Sequence, residues 1–95
     1  MDRQYVESSM IASIGFDSNT STLEIEFKKN GAIWQYYDFP ESTYYELMGS
    51  SSVGKFFLAH IKGQYTENQV GWKKGSTQHW LYVMRAKVLI WRQLH

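Results

Sequence analysis

Apolar and polar residues alternate most regularly over residues 23–28. Leu23, Ile25 and Phe27 occupy every second position, and charged residues fill the positions between them. A two-residue period predicts a β-strand with one buried and one solvated face. Residues 9–16 include Ile11, Ile14 and Phe16 and precede a polar stretch at 17–21, so we expect an earlier strand there.

A hairpin is predicted between the strand at 23–28 and the next one. Asn30-Gly31 separates two strand patterns, and both residue types tolerate the positive φ of a type I′ turn. The sequence that follows, GAIWQYYDFP, predicts a third strand antiparallel to the second. We expect Trp34 and Tyr36 to face the main core, because the opposite side of this strand carries the amide of Gln35.

The pattern becomes helical after Phe39. Proline suits the first turn of a helix, and Pro40 is followed by an apolar stripe at Tyr44, Leu47 and Met48. Ser52 is a suitable N-cap for a second helix. The apolar side of that helix is expected to comprise Val53, Phe57, Ile61 and Tyr65.

The remaining chain divides into two parts. Residues 66–78 are polar and glycine-containing, which predicts a loop or linker. Farther on, four apolar residues recur at helical spacing, although strand-forming residues lie among them, and we favour an amphipathic helix. This stripe comprises Leu81, Met84, Val88 and Trp91.

The expected fold class is α+β. We predict a three-stranded antiparallel meander followed by two helices packed on one face, with a C-terminal amphipathic segment. Residues 1–65 would form the domain, and residues 66–95 would form a polar linker and a basic extension.

Composition fits a single packed domain. The chain has 95 residues, of which 43% are hydrophobic and 17% aromatic, and it contains no cysteine. The absence of cysteine and of an apolar region near the N-terminus favours a cytoplasmic protein, and no apolar run is long enough to span a membrane. We expect no membrane association.

Charge is distributed unevenly. Residues 1–65 carry five Lys or Arg against eight Asp or Glu, whereas residues 66–95 carry five against one. The net charges are therefore −3 and +4. We expect a polyanion to bind mainly to residues 66–95, which we call the tail. The tail cations are Lys73, Lys74, Arg85, Lys87 and Arg92.

Residues 49–55, GSSSVGK, resemble part of a nucleotide-binding loop. Phe56 stands where that motif needs Ser or Thr, and the segment follows a helix rather than a strand, so a nucleotide site is disfavoured. Two readings remain: an anion-binding helix start at Ser52, Gly54 and Lys55, or simple capping and turning, which is favoured.

No catalytic or metal-binding pattern is apparent. His60, His79 and His95 lack the spacing of metal ligands, and the serines lack a nucleophile-elbow context. We therefore predict a protein that is not an enzyme, with no metal and no cofactor.

Aromatic residues on a sheet can stack unpaired bases. Trp34 and Tyr36, with Lys55 and the tail cations, are accordingly candidate nucleic-acid contacts. The alternative, that a chain this small needs both aromatic residues in its core, is favoured by the demand for buried area.

Several short motifs together resemble the KTSC domain over residues 5–65. They are Trp34-Gln35-Tyr36, Pro40, Leu47-Met48, and the group Ser52, Gly54, Phe56 and Phe57. The family occurs in small bacterial and phage proteins and at the C-terminus of some lysyl-tRNA synthetases, a context that implies RNA binding. The family pattern commonly has asparagine where this chain has Leu58, which leaves no polar role for that position here.

We therefore hypothesise a small non-enzymatic module that binds RNA or tRNA. The alternative is a protein-interaction or homo-oligomerisation module that uses the C-terminal apolar stripe. As a third possibility, the tail folds back over Ile33, Tyr37 and Phe39 on the second face of the sheet.

Overall fold

The structure is a computed structural model that describes residues 1–73, 75, 81 and 83–85. Several residues named above lie outside the described residues: Lys74, His79, Lys87, Val88, Trp91, Arg92 and His95. Leu81 and residues 83–85 are helical, which agrees with the expected helix over the part that is described.

Five strands form one antiparallel sheet in the described part of the chain. They are β1 (Gln4–Tyr5), β2 (Ile11–Asp17), β3 (Thr22–Phe27), β4 (Ala32–Tyr36) and β5 (Glu67–Trp72). Each strand pairs with its neighbour in sequence, so the sheet order is β1-β2-β3-β4-β5. The helices lie in the connection between β4 and β5.

The predicted hairpin of β3 and β4 is confirmed, but its turn is not type I′. Gly31 has φ 70°, whereas Asn30 does not have a positive φ. The Gly31 N–H donates to the Phe27 carbonyl at 3.0 Å, and the Asn30 side-chain oxygen accepts the Ala32 N–H at 3.0 Å. The loop is therefore longer than two residues, and Asn30 contributes through its side chain.

Both predicted helices are present. Helix α1 (Glu41–Met48) begins after Pro40, and Leu47 is its buried residue. Helix α2 (Val53–Phe56) continues into a π-helical segment, Phe57–Ile61. The Ser52 hydroxyl accepts the Lys55 N–H at 3.2 Å, so Ser52 is the N-cap as expected.

The core lies between the helices and one face of the sheet. Tyr36 is 2% exposed within it, and the half-buried Trp34 packs against it, as predicted. Phe39 is fully buried in this same core, which corrects its expected place on the second face. The fully buried aliphatic residues are Ile11, Ile14, Leu23, Ile25, Leu47 and Ile61.

The two acids of β3 are buried on the second face of the sheet, contrary to the expectation of a solvated face. Glu24 and Glu26 are 6% and 5% exposed. Arg3 forms an ion pair with Glu24 and donates from Nε to the Ser13 hydroxyl at 3.0 Å. Ser13 in turn donates to Glu26 at 2.8 Å, and the Gln35 amide donates to Glu24 at 2.9 Å. Hydrogen bonds thus satisfy carboxylates that the alternating pattern had placed in water.

The α+β class is confirmed, whereas the three-stranded meander is incomplete. β1 has only two residues, both exposed, so no period could identify it. The expected linker at 66–78 is wrong over residues 67–72, because Glu67–Trp72 pairs with β4. This strand lies at the sheet edge and is polar, so its backbone pairing left no hydrophobic signal.

Candidate functional site

A cleft of about 520 Å³ opens on the helix side of the sheet. It lies between the β3–β4 loop and the π-helical segment. Its apolar lining comprises Met10, Phe27, Trp34, Phe57 and Leu58, and its polar lining includes Lys29, Asn30, Lys62 and Glu67. An apolar cleft with a few polar groups at its margin is the usual form of a ligand site.

Aromatic packing holds the floor of the cleft in place. The Phe27 and Phe57 rings meet edge to face with centroids 5.2 Å apart, and the Tyr36 and Phe57 rings do so at 5.8 Å. Trp34 lies opposite Ile25 on β3 and opposite Gln69 on β5. The backbone of Trp34 therefore lies in a strand with partners on both sides, and its side chain is partly exposed to solvent.

Two exposed lysines reach the cleft from different elements. Lys29 lies in the β3–β4 loop, whose shape is set by the Asn30 and Gly31 hydrogen bonds. Lys62 follows the π-helical segment, and its N–H donates to the Phe57 carbonyl at 2.9 Å. The cleft therefore carries positive charge from a part of the chain whose net charge is −3.

Glu67 brings a carboxylate to the same cleft. It lies opposite Tyr36 in the pairing of β4 with β5. Burial raises the pKa of the Tyr36 phenol above its ordinary value, and the charge and hydrogen bonding of Glu67 add to the rise. The Tyr36 phenol therefore keeps its proton and lies beside the Glu67 carboxylate, which can only accept hydrogen bonds.

Trp34 and Tyr36, the two aromatic residues considered as nucleic-acid contacts, differ in their exposure to solvent. Trp34 lines the cleft and is half-buried. Tyr36 also lines it, but at 2% exposure its ring has no free face, so it cannot stack on a base. The burial of Tyr36 agrees with the favoured expectation that the core needs this large ring, and Trp34 is therefore the aromatic residue that we keep as a candidate base contact.

None of the predicted cations that the structure describes lines the cleft. Lys55 is exposed on α2 and does not line it, and Arg85 is exposed elsewhere. Lys73 contributes instead to a second cleft of about 350 Å³, together with Glu26 and Lys28.

The segment Ser52, Gly54 and Lys55 works as a helix cap. The Lys55 N–H that an anion would need is already bonded to Ser52. Gly54 is buried, and a β-carbon placed there would lie 3.3 Å from the Ser8 hydroxyl. Capping accounts for the Ser52 contact, whereas Gly54 lies within α2 and allows the helix to pack closely against Ser8.

Sequence reasoning missed Lys29, Lys62 and Glu67. A weak signal existed for Lys62, since it lies four positions after Leu58, which also lines the cleft. No local signal existed for Glu67, because the strand that carries it was not foreseen.

Within residues 1–73 and the few described beyond them, no group of three His, Cys, Asp or Glu side chains could hold a metal ion. In the same described part of the chain, no helix has the length and hydropathy needed to cross a bilayer.

The fold and the cleft define a small α+β domain: an antiparallel meander with two short helices inserted before its last strand. Residues 7–65 match the KTSC domain, and the chain belongs to this family. A crystal structure of a KTSC domain protein from Yersinia pestis superposes with a TM-score of 0.71 at 40% identity. The match covers 74% of this chain and 97% of that one.

Relatives of two sizes share this domain. A lysine–tRNA ligase from Nostoc is 34% identical over 64 residues, which are 67% of this chain and 11% of that protein. The chain thus spans about a tenth of the length of the ligases it matches. An uncharacterized protein from Stutzerimonas stutzeri is 32% identical over 65 residues and is covered to 90% of its length.

Proposed function

We propose that this chain is a small RNA-binding module whose cleft holds one unpaired base against Trp34. The observation that supports this most directly is the meeting of a half-buried tryptophan with Lys29 and Lys62 in one cleft. Similarity to a region of lysine–tRNA ligases supports a tRNA-related role for the same module.

The chemistry of the cleft suits a nucleotide. A base stacked on an aromatic side chain gains roughly 1–3 kcal/mol, and lysines at the margin can neutralise the adjoining phosphates. Residues 1–65 contain five Lys or Arg, one of which, Arg3, is paired with Glu24. Two of the other four, Lys29 and Lys62, line this cleft although they are far apart in sequence.

The test is fluorescence anisotropy with a labelled single-stranded RNA of about twelve nucleotides, measured across a salt series. We expect the double variant Lys29→Gln/Lys62→Gln to bind about tenfold more weakly and to lower the salt slope by about 1.4, since each phosphate contact on a single strand contributes about 0.7. Trp34→Leu should weaken binding without changing that slope.

The matched control is Lys28→Gln/Lys55→Gln. It removes the same charge from exposed lysines that do not line the cleft, and Lys28 is the sequence neighbour of Lys29. Equal losses in the two double variants would contradict a specific cleft, and absence of binding at low salt would contradict RNA binding altogether.

The second candidate function is protein interaction or self-association. Its supporting observation is that Leu81 and Met84, three positions apart on helical residues, are 52% and 54% exposed. A monomeric mass in solution would count against self-association.

A further inference from the structure

Glu67 differs in charge from the rest of the cleft. Among the described residues that line it, Glu67 is the one acid, beside two lysines. An ionised carboxylate only accepts hydrogen bonds, at about four lone-pair sites on its two oxygens, so the hydrogen bond with the Tyr36 phenol leaves sites on both oxygens for a ligand. A carboxylate beside a stacking surface therefore selects for ligand atoms that donate.

Glu67 is placed where the edge of a stacked base would lie. It is opposite Tyr36, and Tyr36 is two residues from Trp34 on the same face of β4. Glu67 is therefore offset from Trp34 by about 7 Å along the strands and by about 5 Å across to β5, a separation that a purine and the Glu67 side chain can together span. A base resting on Trp34 can thus direct its Watson–Crick edge toward the Glu67 carboxylate.

We infer that the Trp34 cleft is selective for guanine, with the Glu67 carboxylate accepting from the guanine N1–H and N2–H groups. This inference rests on the proposed RNA binding and names the base that the cleft prefers. Guanine presents two adjacent donors on its Watson–Crick edge, so it pairs with both carboxylate oxygens.

The other bases fit less well. Adenine and cytosine place a ring-nitrogen acceptor beside their amino group, and uracil flanks its single donor with two carbonyl oxygens. Each would bring an acceptor against the second carboxylate oxygen. Discrimination therefore arises from repulsion as well as attraction.

The charge of the cleft favours a nucleotide over a cationic side chain of a peptide, which is the other ligand that such a cleft could hold. Tryptophan and a carboxylate together also attract cationic side chains of peptides. Lys29 and Lys62 give the cleft a net positive charge, which disfavours a cation and favours a ligand with a phosphate.

The experiment compares four twelve-nucleotide RNAs that are oligo(U) except for one central position carrying G, A, C or U. We expect the full chain to bind the G-containing RNA roughly tenfold more tightly than the others. Glu67→Gln should reduce this preference to less than threefold, because an amide offers one acceptor, while binding to oligo(U) should not weaken. Glu46→Gln, an exposed acid on α1 that does not line the cleft, should keep the full preference.

The outcomes separate the two claims. Equal affinity for all four RNAs, with the loss on Lys29→Gln/Lys62→Gln intact, overturns guanine selectivity and leaves RNA binding standing. A preference that survives Glu67→Gln overturns the role of Glu67. Binding of a lysine-rich peptide without binding of any RNA overturns both claims. The thermal midpoint of each variant, measured in parallel, identifies any change that results from unfolding.

Discussion

Gly15 lies in β2 directly beneath the backbone of the N-terminal residues. A β-carbon at this position would lie 2.4 Å from the Asp2 carbonyl oxygen and 3.0 Å from Cγ of Arg3. Glycine here lets the N-terminus cross the sheet closely enough for Arg3 to reach Glu24 and Ser13. The buried carboxylate of Glu24 thus depends on the absence of a side chain at residue 15.

We predict that Gly15→Ala lowers the free energy of unfolding by about 1–3 kcal/mol, as overpacking commonly does, because backbone must move and Arg3 withdraws from Glu24. The measurement is urea unfolding followed by circular dichroism. Gly71→Ala is the control, since a β-carbon at Gly71 in β5 meets no atom within 4 Å. Equal stability of the two variants would contradict this account.

Strand β5 connects the cleft to the sheet. Five residues of β4 have partners in β5, from Ala32 opposite Trp72 to Tyr36 opposite Glu67. The Tyr37 N–H also donates to the Thr66 carbonyl at 2.9 Å. β5 therefore supports the strand that carries Trp34 and supplies the acid of the cleft.

We predict that a chain ending at residue 65 is less stable than one ending at residue 75 by at least about 2 kcal/mol. The shorter chain leaves one edge of β4 without partners, and each lost backbone hydrogen bond costs about 0.5–1.5 kcal/mol. Urea midpoints of the two truncated chains provide the comparison. If both unfold at the same midpoint, β5 does not belong to the cooperative unit.

Across the whole molecule, the cleft and the cations of residues 66–95 are expected to act differently on RNA. The cleft offers stacking and an acceptor at defined positions. The tail offers five cations, of which Lys73 and Arg85 are described and neither lines the cleft. Contacts to phosphate increase affinity without reading sequence.

We predict that replacing the five tail cations by glutamine lowers the salt slope by up to about 3.5 and weakens binding to all RNAs alike. The preference for guanine should persist, because Trp34 and Glu67 are unchanged. The four-RNA titration, repeated across the salt series, measures both quantities. An unchanged slope would show that the tail does not contact phosphate, and a lost preference would assign base recognition to the tail.

The sequence by itself determined the features whose signals are local. The alternation at 23–28 identified β3, Asn30-Gly31 identified the hairpin, and Ser52 identified the start of α2. In each case the residues that specify the structure lie within a few positions of one another, so period, turn preference and capping suffice.

Only the tertiary structure decided the rest. β1 and β5 are edge strands held by backbone pairing with distant residues, and such pairing leaves no hydrophobic period in their own sequences. The burial of Glu24 required Arg3 and Gln35, which come from other strands or the N-terminus. The cleft likewise exists because folding brings Lys29, Lys62 and Glu67 to Trp34, a juxtaposition set by packing between elements rather than by any local pattern.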